Sequence, residues 1–260
     1  TATTEIYTLP TRRSSDLAKR ISMKDEKRAI ILAGGKGTRL RPYTVVLPKP
    51  LMPIGDYPIL EVIVRQLVEN GFTHITMAVN HQAELIQTFF GNGNKWGIKI
   101  DYSLEHKPLS TMAPLKLIDD LPDDFLVMNG DILTDLNFNE FYNKHIEQKN
   151  IFSISSYQRE VRSEFGVLDV DNGNLVGFRE KPVTKYDVSM GIYMVSKKAV
   201  EYIPEDTFYG FDHLMLDLMK DSKVPSVERF DGYWLDIGRP DDYEIAIDVF
   251  EEKKEKFLLG

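Results

Sequence analysis

The sequence contains no cysteine. Disulfides, thiolate metal sites and cysteine nucleophiles are therefore excluded together. The absence agrees with a reducing compartment, and the expected location is the cytoplasm. No apolar run approaches the roughly 18 residues of a membrane helix, so no membrane partner is expected. The run near the start, Ala29 to Ala33, has only the length of a strand. Positive charge is in deficit. The 32 Lys and Arg stand against 40 Asp and Glu, a net charge of −8. That balance argues against a nucleic-acid partner, whose binding is dominated by phosphate neutralisation. No internal repeat is visible. The five histidines, 74, 81, 106, 145 and 213, show no metal-ligand spacing, and no Gly-x-Ser-x-Gly elbow supports serine hydrolysis.

Residues 1–22 lack a signal peptide's apolar segment and lack helical or strand periodicity. The stretch Tyr7 to Leu17 resembles a translated sequencing-adapter read. The expectation is a non-native leader over 1–22, with the native chain starting at or near Met23 or an upstream domain lost. A disordered native tail is the alternative. Residues 23–260 are then read as a single domain.

In that domain strand and helix signals alternate. Arg28 to Ala33 is a continuous apolar run before Gly34-Gly35, as for a strand buried on both faces. Leu60, Ile63, Val64 and Leu67 recur at i, i+3, i+4 and i+7, which predicts a helix over Pro58 to Glu69. Strands are predicted over His74 to Val79, Lys99 to Leu104 and Phe125 to Met128, and a helix over Ala83 to Phe90. Such alternation implies an α/β fold with a mostly parallel central sheet covered by helices. Further strands are predicted over Ile151 to Tyr157, Phe165 to Val170, Leu175 to Phe178 and Ser189 to Val195. Helices are predicted near Lys198 to Tyr202, over Phe211 to Met219, and from Pro240 onward.

The richest segment runs from Leu32 to Pro50, LAGGKGTRLRPYTVVLPKP. It follows a predicted strand, so its backbone lies at a sheet's C-terminal edge, where ligands of open α/β sheets bind. Gly34, Gly35 and Gly37 let the backbone approach phosphate oxygens. Arg39 offers a bidentate fork and Lys49 a compact charge. The P-loop pattern is absent, and a dinucleotide fingerprint fails because Leu40 stands where its third glycine belongs. The prolines at 42, 48, 50, 53 and 58 predict a long extended loop.

Two carboxylates stand out: Asp131 in Asn129-Gly130-Asp131, after the predicted strand Phe125 to Met128, and Asp236 in Trp234-Leu235-Asp236-Ile237-Gly238, just before the final predicted helix. Mg²⁺ takes oxygen ligands, commonly one or two carboxylates plus substrate phosphates. Asp131 and Asp236 suit it if the fold joins them; a turn Asp and a helix-capping Asp are the alternative. In the second half, Glu180 can accept from sugar hydroxyls and Lys181 can neutralise a phosphate, although each motif taken singly reads first as a strand turn or a surface ion pair. Gly166 and Gly191 can offer backbone groups at close range.

The chain resembles the sugar-1-phosphate nucleotidylyltransferases, whose signature Gly-x-Gly-Thr-Arg followed by Pro-Lys is matched by Gly35, Gly37, Thr38, Arg39, Pro48 and Lys49. The resemblance runs from about Lys27 to Phe250. It implies a Rossmann-like nucleotide-diphospho-sugar transferase fold, an α/β/α sandwich. It implies a reaction of an NTP with a hexose 1-phosphate to give an NDP-hexose and pyrophosphate. Arg39 would hold the triphosphate and Lys49 contact the reacting phosphates. Ala33, Gly34, Gly35, Gly37, Thr38, Glu105 and Thr111 would complete the nucleotide site. Asp131 and Asp236 would hold Mg²⁺. Gly166, Glu180, Lys181 and Gly191 would face the sugar phosphate. A homo-oligomer is compatible with this reading. The segment Tyr102 to Pro114 falls where the family reads the base. Glu105 stands where relatives using uridine or thymidine triphosphates often have Gln. An ionised Glu accepts only, which suits the two adjacent donors of guanine. GTP with mannose 1-phosphate is therefore the expected pair. Ser110 and Ala113 replace glycines common in the family. Uridylyl or thymidylyl transfer, a non-catalytic relative and a glycosyltransferase of related fold remain the alternatives, as does a surface pairing of Glu105 with Lys107.

Overall fold

The computed structural model describes residues 26–80 and 82–258. The expected leader over 1–22 and His81 lie outside the described residues. The strands are β1 (Lys27–Leu32), β2 (Pro53–Ile54), β3 (Tyr57–Pro58), β4 (Phe72–Val79), β5 (Lys99–Leu104), β6 (Asp124–Asn129), β7 (Ile132–Thr134), β8 (Phe152–Arg162), β9 (Val167–Asp171), β10 (Asn174–Arg179), β11 (Val183–Ser196), β12 (Ser226–Phe230) and β13 (Trp234–Asp236). The α-helices are α1 (Ile59–Glu69), α2 (Ala83–Phe90), α3 (Phe138–Gln148), α4 (Lys197–Val200), α5 (Phe211–Lys220), α6 (Pro240–Glu252) and α7 (Lys254–Phe257).

Seven strands form one sheet in the order β12-β8-β11-β6-β1-β4-β5. The pairings β6–β1, β1–β4, β4–β5 and β12–β8 are parallel; only β11 runs against its neighbours. The sheet is thus mixed and mostly parallel, as the alternation predicts. Its two faces read directly from the period of two. Ala29, Ile31, Leu126, Met128, Ile192 and Met194 face one cluster, which holds residues of α1, α2, α3 and α6. Ile30, Phe125, Val127, Tyr193 and Val195 face the other, beneath α4 and α5. Helices on both faces make the central strands near-continuous apolar runs.

Local chemistry explains the element ends. Pro58 caps α1 in an extended conformation, and the Asn70 amide donates back to the Gln66 carbonyl to close it. Helix α3 extends the sequence expectation. Phe138, Phe141 and His145 form its buried face, and the Asn137 side chain accepts from the Glu140 N–H at 2.9 Å. The proline-rich segment is not the expected extended loop. It winds into 3₁₀ turns at Thr38–Leu40, Tyr43–Val45 and Lys49–Leu51. Proline fixes φ near the value that the first position of such turns requires, and N–H donations from Val45 to Pro42 and from Leu51 to Pro48 close the last two. The effect is to press Lys49, Pro50 and Leu51 against the core rather than leave them in solvent. Among the described residues no helix is long and apolar enough to cross a membrane.

Candidate active site

Chain order reverses direction in the sheet at β1. From it β4 and β5 extend one way, and β6 and β11 the other. At such a switch point, loops leaving the strands' C-terminal ends diverge and open a crevice. Four strand ends contribute here. Ala33, Gly34 and Gly35 follow β1, Asn80 follows β4, Glu105 follows β5, and Asp131 follows β6; together with Lys49 they line a cleft of about 390 Å³.

Glycine is required where these strand ends converge. The Gly130 N–H donates to the Leu32 carbonyl at 3.0 Å. A Cβ on Gly130 would stand 3.2 Å from that oxygen, a tight contact, so a side chain there would push the Gly-Asp turn a few tenths of an ångström from the glycine loop. Gly191 has φ of +73°, and a Cβ there would come within 2.6 Å of Asn129 Nδ2. It therefore sits behind the Asn129-Gly130-Asp131 turn.

The two aspartates meet through a short ladder. Strand β13 pairs antiparallel with β7, setting Asp236 opposite Ile132, the residue after Asp131. The Ile237 N–H donates to the Asp131 carbonyl at 3.1 Å. Asp131 Oδ2 is paired with Lys49 Nζ. Asp131 Oδ1 is buried with no hydrogen-bond partner among the described residues. Burial raises the Asp236 carboxyl above the ordinary aspartate range; the charge of Asp131 adds to this, and Lys49 and Arg39 oppose it. An orphaned buried carboxylate oxygen beside a second carboxylate whose ionisation is disfavoured fits a divalent cation. Among the described residues there is no cluster of three or more His, Asp or Glu that could hold a metal by itself. Any cation here would need water or ligand oxygens to complete its shell.

The other expected site residues fall into three groups. Glu105 and Thr111 line the cleft. The Glu105 carboxylate is half-buried, and burial raises its pKa while the Leu109 N–H, donating to it, holds it down. Lys107 does not pair with it; that ammonium binds Asp206 at 2.6 Å. The alternative of a Glu105–Lys107 surface pair is thereby excluded. Ser110 holds a left-handed backbone, with φ of +71°. Gly37 and Thr38 lead out of the cleft to Arg39, which lines an adjoining recess of about 330 Å³ with Asp236, Arg159 and Arg239. Gly166, Glu180 and Lys181 are exposed at the base of the β9–β10 ribbon; a Cβ on Gly166 would lie 3.2 Å from Glu180 Oε2. These three do not line either cavity. The structure also brings in residues that no motif marks. Asn80 donates to the Gly34 carbonyl. Phe208 enters the cleft lining from the loop before α5, and Arg159 and Arg239 enter the recess.

A glycine loop, Lys49 and two aspartates thus converge at the switch point of a mostly parallel sheet, the usual ligand crevice of an open α/β protein. The chain belongs to the nucleotidyl transferase family, whose model matches residues 28–253. It is 34% identical over 241 residues to the UTP–glucose-1-phosphate uridylyltransferase of Synechocystis sp., covering 85% of this chain and 62% of that protein. It is 32% identical over 226 residues to the mannose-1-phosphate guanyltransferase of Candida albicans, covering 83% of this chain and 62% of that one. The chain therefore spans about three fifths of the length of these relatives. Among solved structures it resembles HddC from Yersinia pseudotuberculosis complexed with GMP-PN. The TM-score is 0.66 at 27% identity, covering 86% of this chain and 99% of that chain.

Proposed function

We propose that this protein joins an NTP to a hexose 1-phosphate, giving an NDP-hexose and pyrophosphate, with GTP and mannose 1-phosphate the favoured pair. The observation that carries the reading is the floor of the cleft. There Lys49 and Asp131 are paired under the glycine loop, with Asp236 brought alongside by the β7–β13 ladder.

A sugar-phosphate oxygen attacks the α-phosphorus. The new O–P bond forms as the bond from that phosphorus to the bridging oxygen breaks, and pyrophosphate leaves with that electron pair. The nucleophile is largely ionised at neutral pH, since a phosphate monoester's second pKa is about 6, so no general base is required. The remaining tasks are alignment and charge neutralisation. Backbone N–H groups of the glycine loop face the nucleotide phosphates. Lys49, held in place by Asp131, lies at the reacting phosphate, and Arg39 takes the leaving pyrophosphate on the Asp236 side. Asp131 Oδ1 and Asp236 would hold Mg²⁺, which would supply further charge neutralisation to the phosphates. Glu105 faces the base.

Guanine is favoured by the acceptor-only carboxylate and by two named likenesses, the guanyltransferase relative and the GMP-PN complex of HddC. A second reading, uridylyl transfer, is favoured by the Synechocystis relative. A panel of NTPs against hexose 1-phosphates, read by pyrophosphate release with Mg²⁺ present, tests both. Release from GTP with mannose 1-phosphate supports the first reading, a preference for UTP replaces it with the second, and a preference for dTTP replaces it with thymidylyl transfer. No release from any pair would refute the activity.

A further inference from the structure

Three aromatic residues lie close together before and at the start of α5: Phe208, Tyr209 and Phe211. Two of them anchor the segment. Tyr209 is buried, with its hydroxyl donating to Asp217 at 2.7 Å. Phe211 stacks on Tyr193, with centroids 4.7 Å apart and planes 21° from parallel. Phe208 is different. It is 60% exposed, yet it lines the same cleft as Glu105, Ser110 and Thr111. A phenyl ring so exposed contributes little to folding.

The loop that presents Phe208 is tied to the loop that presents Glu105. The Tyr209 N–H donates to the Leu109 carbonyl at 3.0 Å. The Tyr209 carbonyl accepts from the Met112 and Ala113 N–H groups at 3.1 and 3.0 Å. The Phe211 N–H donates to Thr111 Oγ1 at 2.8 Å. Lys107 closes the far end, binding both the carboxylate and the carbonyl of Asp206. Six contacts thus bracket Phe208 on both sides. The Thr111 hydroxyl serves this stitching as an acceptor.

We infer that Phe208 is a nucleotide-binding residue whose ring stacks on the face of the nucleobase, while Glu105 reads the base's edge. The inference rests on reading the cleft as the NTP site. Every base has a π face, so a stacking platform is tolerant of sequence, and the ring's quadrupole favours an offset stack. Phe208 therefore sets affinity for nucleotides generally, and Glu105 sets which base is preferred. Because the loop is already pinned, little ordering accompanies binding.

The test measures binding without turnover, on the whole chain, by titration calorimetry. The probes are a non-hydrolysable GTP analogue, the matching UTP analogue, and tripolyphosphate as a probe with no base. Phe208→Ala should weaken both nucleotide analogues by about tenfold and leave tripolyphosphate unchanged. Phe208→Leu keeps the bulk without the ring and should lose most of the same affinity. Phe208→Trp should restore it, with an added fluorescence signal quenched by the nucleotides and not by tripolyphosphate. Unchanged nucleotide affinity in Phe208→Ala and Phe208→Leu, or equal losses for tripolyphosphate, would overturn the inference while leaving the NTP site intact. A wild-type chain that binds neither nucleotide analogue would overturn the NTP reading and the stacking role with it.

Discussion

Lys49 and Asp131, 82 residues apart, form a largely buried ion pair through Lys49 Nζ and Asp131 Oδ2, with side chains 10% and 19% exposed. Neither residue reaches the other by local structure. A 3₁₀ turn presses Lys49 onto the core, and the end of β6 presents Asp131. The pair leaves Asp131 Oδ1 without a hydrogen-bond partner among the described residues, so the carboxylate is held in one orientation and still has capacity to accept.

Lys49→Ala should lower kcat on the order of 10²–10³-fold, the usual effect of removing one preorganised electrostatic group. It should also lower Tm, because Asp131 loses the cation that offsets its partial burial next to Asp236. Pyrophosphate release and a thermal melt check the two effects. A folded variant with near-normal turnover would exclude Lys49 from the reaction.

Asp236→Asn should separate function from stability. The Asp236 carboxyl titrates above its unfolded value, through burial first and Asp131 second. For a carboxylate with a raised folded pKa, the unfolded chain ionises first as pH rises. The stability tied to protonated Asp236 is present below the unfolded pKa and is lost as pH rises through the folded one. At neutral pH the ionised group is therefore a net cost in the metal-free protein. Asp236→Asn should raise the metal-free Tm there, and the gain should vanish at low pH. The same variant should lose most Mg²⁺-dependent activity, and chelator should abolish activity of the wild type reversibly. An unchanged or lower metal-free Tm at neutral pH would contradict the electrostatic account. Full activity in excess chelator would contradict the metal account.

How much of this was legible in sequence depends on contiguity. The glycine loop and the strands before it are single segments, so pattern and period place Ala33 to Gly35 at a strand's C-terminal end, where they are found. The meeting of Asp131 and Asp236 depends on two three-residue strands, β7 and β13. Three residues are too few to show alternation, and no local signal reveals their pairing. Helix α3 did carry its signals, with Phe138, Phe141, Tyr142 and His145 spaced i, i+3, i+4 and i+7 behind an Asn cap. Lys107 was a plausible partner for Glu105 by spacing, and only the tertiary approach of Asp206 draws it away. Phe208 and Arg159 belong to no motif, and their place at the cavities follows from loop stitching and sheet register.

Ser110→Gly should stabilise the protein or leave it neutral. Ser110 holds φ of +71°, a left-handed conformation that costs an L-residue about 1–2 kcal/mol. Glycine removes that strain and adds about 0.5–1 kcal/mol of unfolded-state freedom. The net is a gain of roughly 0–1.5 kcal/mol by these two effects. The change also removes a Cβ and hydroxyl from the cleft wall beside Thr111, so KM for the larger purine triphosphate should fall more than for UTP. A denaturant melt and KM values for GTP and UTP check both halves. A clear loss of stability would show that the hydroxyl supports the loop.

Glu105→Gln should reduce the preference for GTP over UTP. The carboxylate is half-buried in the cleft, supported by the Leu109 N–H, with Lys107 engaged elsewhere. Among the described residues no cation of the same loop neutralises it, so its charge is available to a ligand. Guanine offers N1–H and the 2-amino group side by side, and two carboxylate oxygens can accept both. Uracil offers one N–H flanked by carbonyl oxygens, which a carboxylate repels. Gln keeps one acceptor and adds a donor, so it should lose part of the guanine contact and gain part of a uracil contact. The expected outcome is a kcat/KM ratio for GTP over UTP that falls by about tenfold, the effect of one charge-assisted hydrogen bond. Acid works in the same direction. Because burial raises the Glu105 pKa, the wild-type preference should begin to fade at a higher pH than an exposed Glu would permit, while Glu105→Gln stays flat over that range. Initial rates with both triphosphates at neutral and mildly acidic pH measure the ratio. A wild-type enzyme that prefers UTP, or a ratio unmoved by the substitution, would remove Glu105 from base selection.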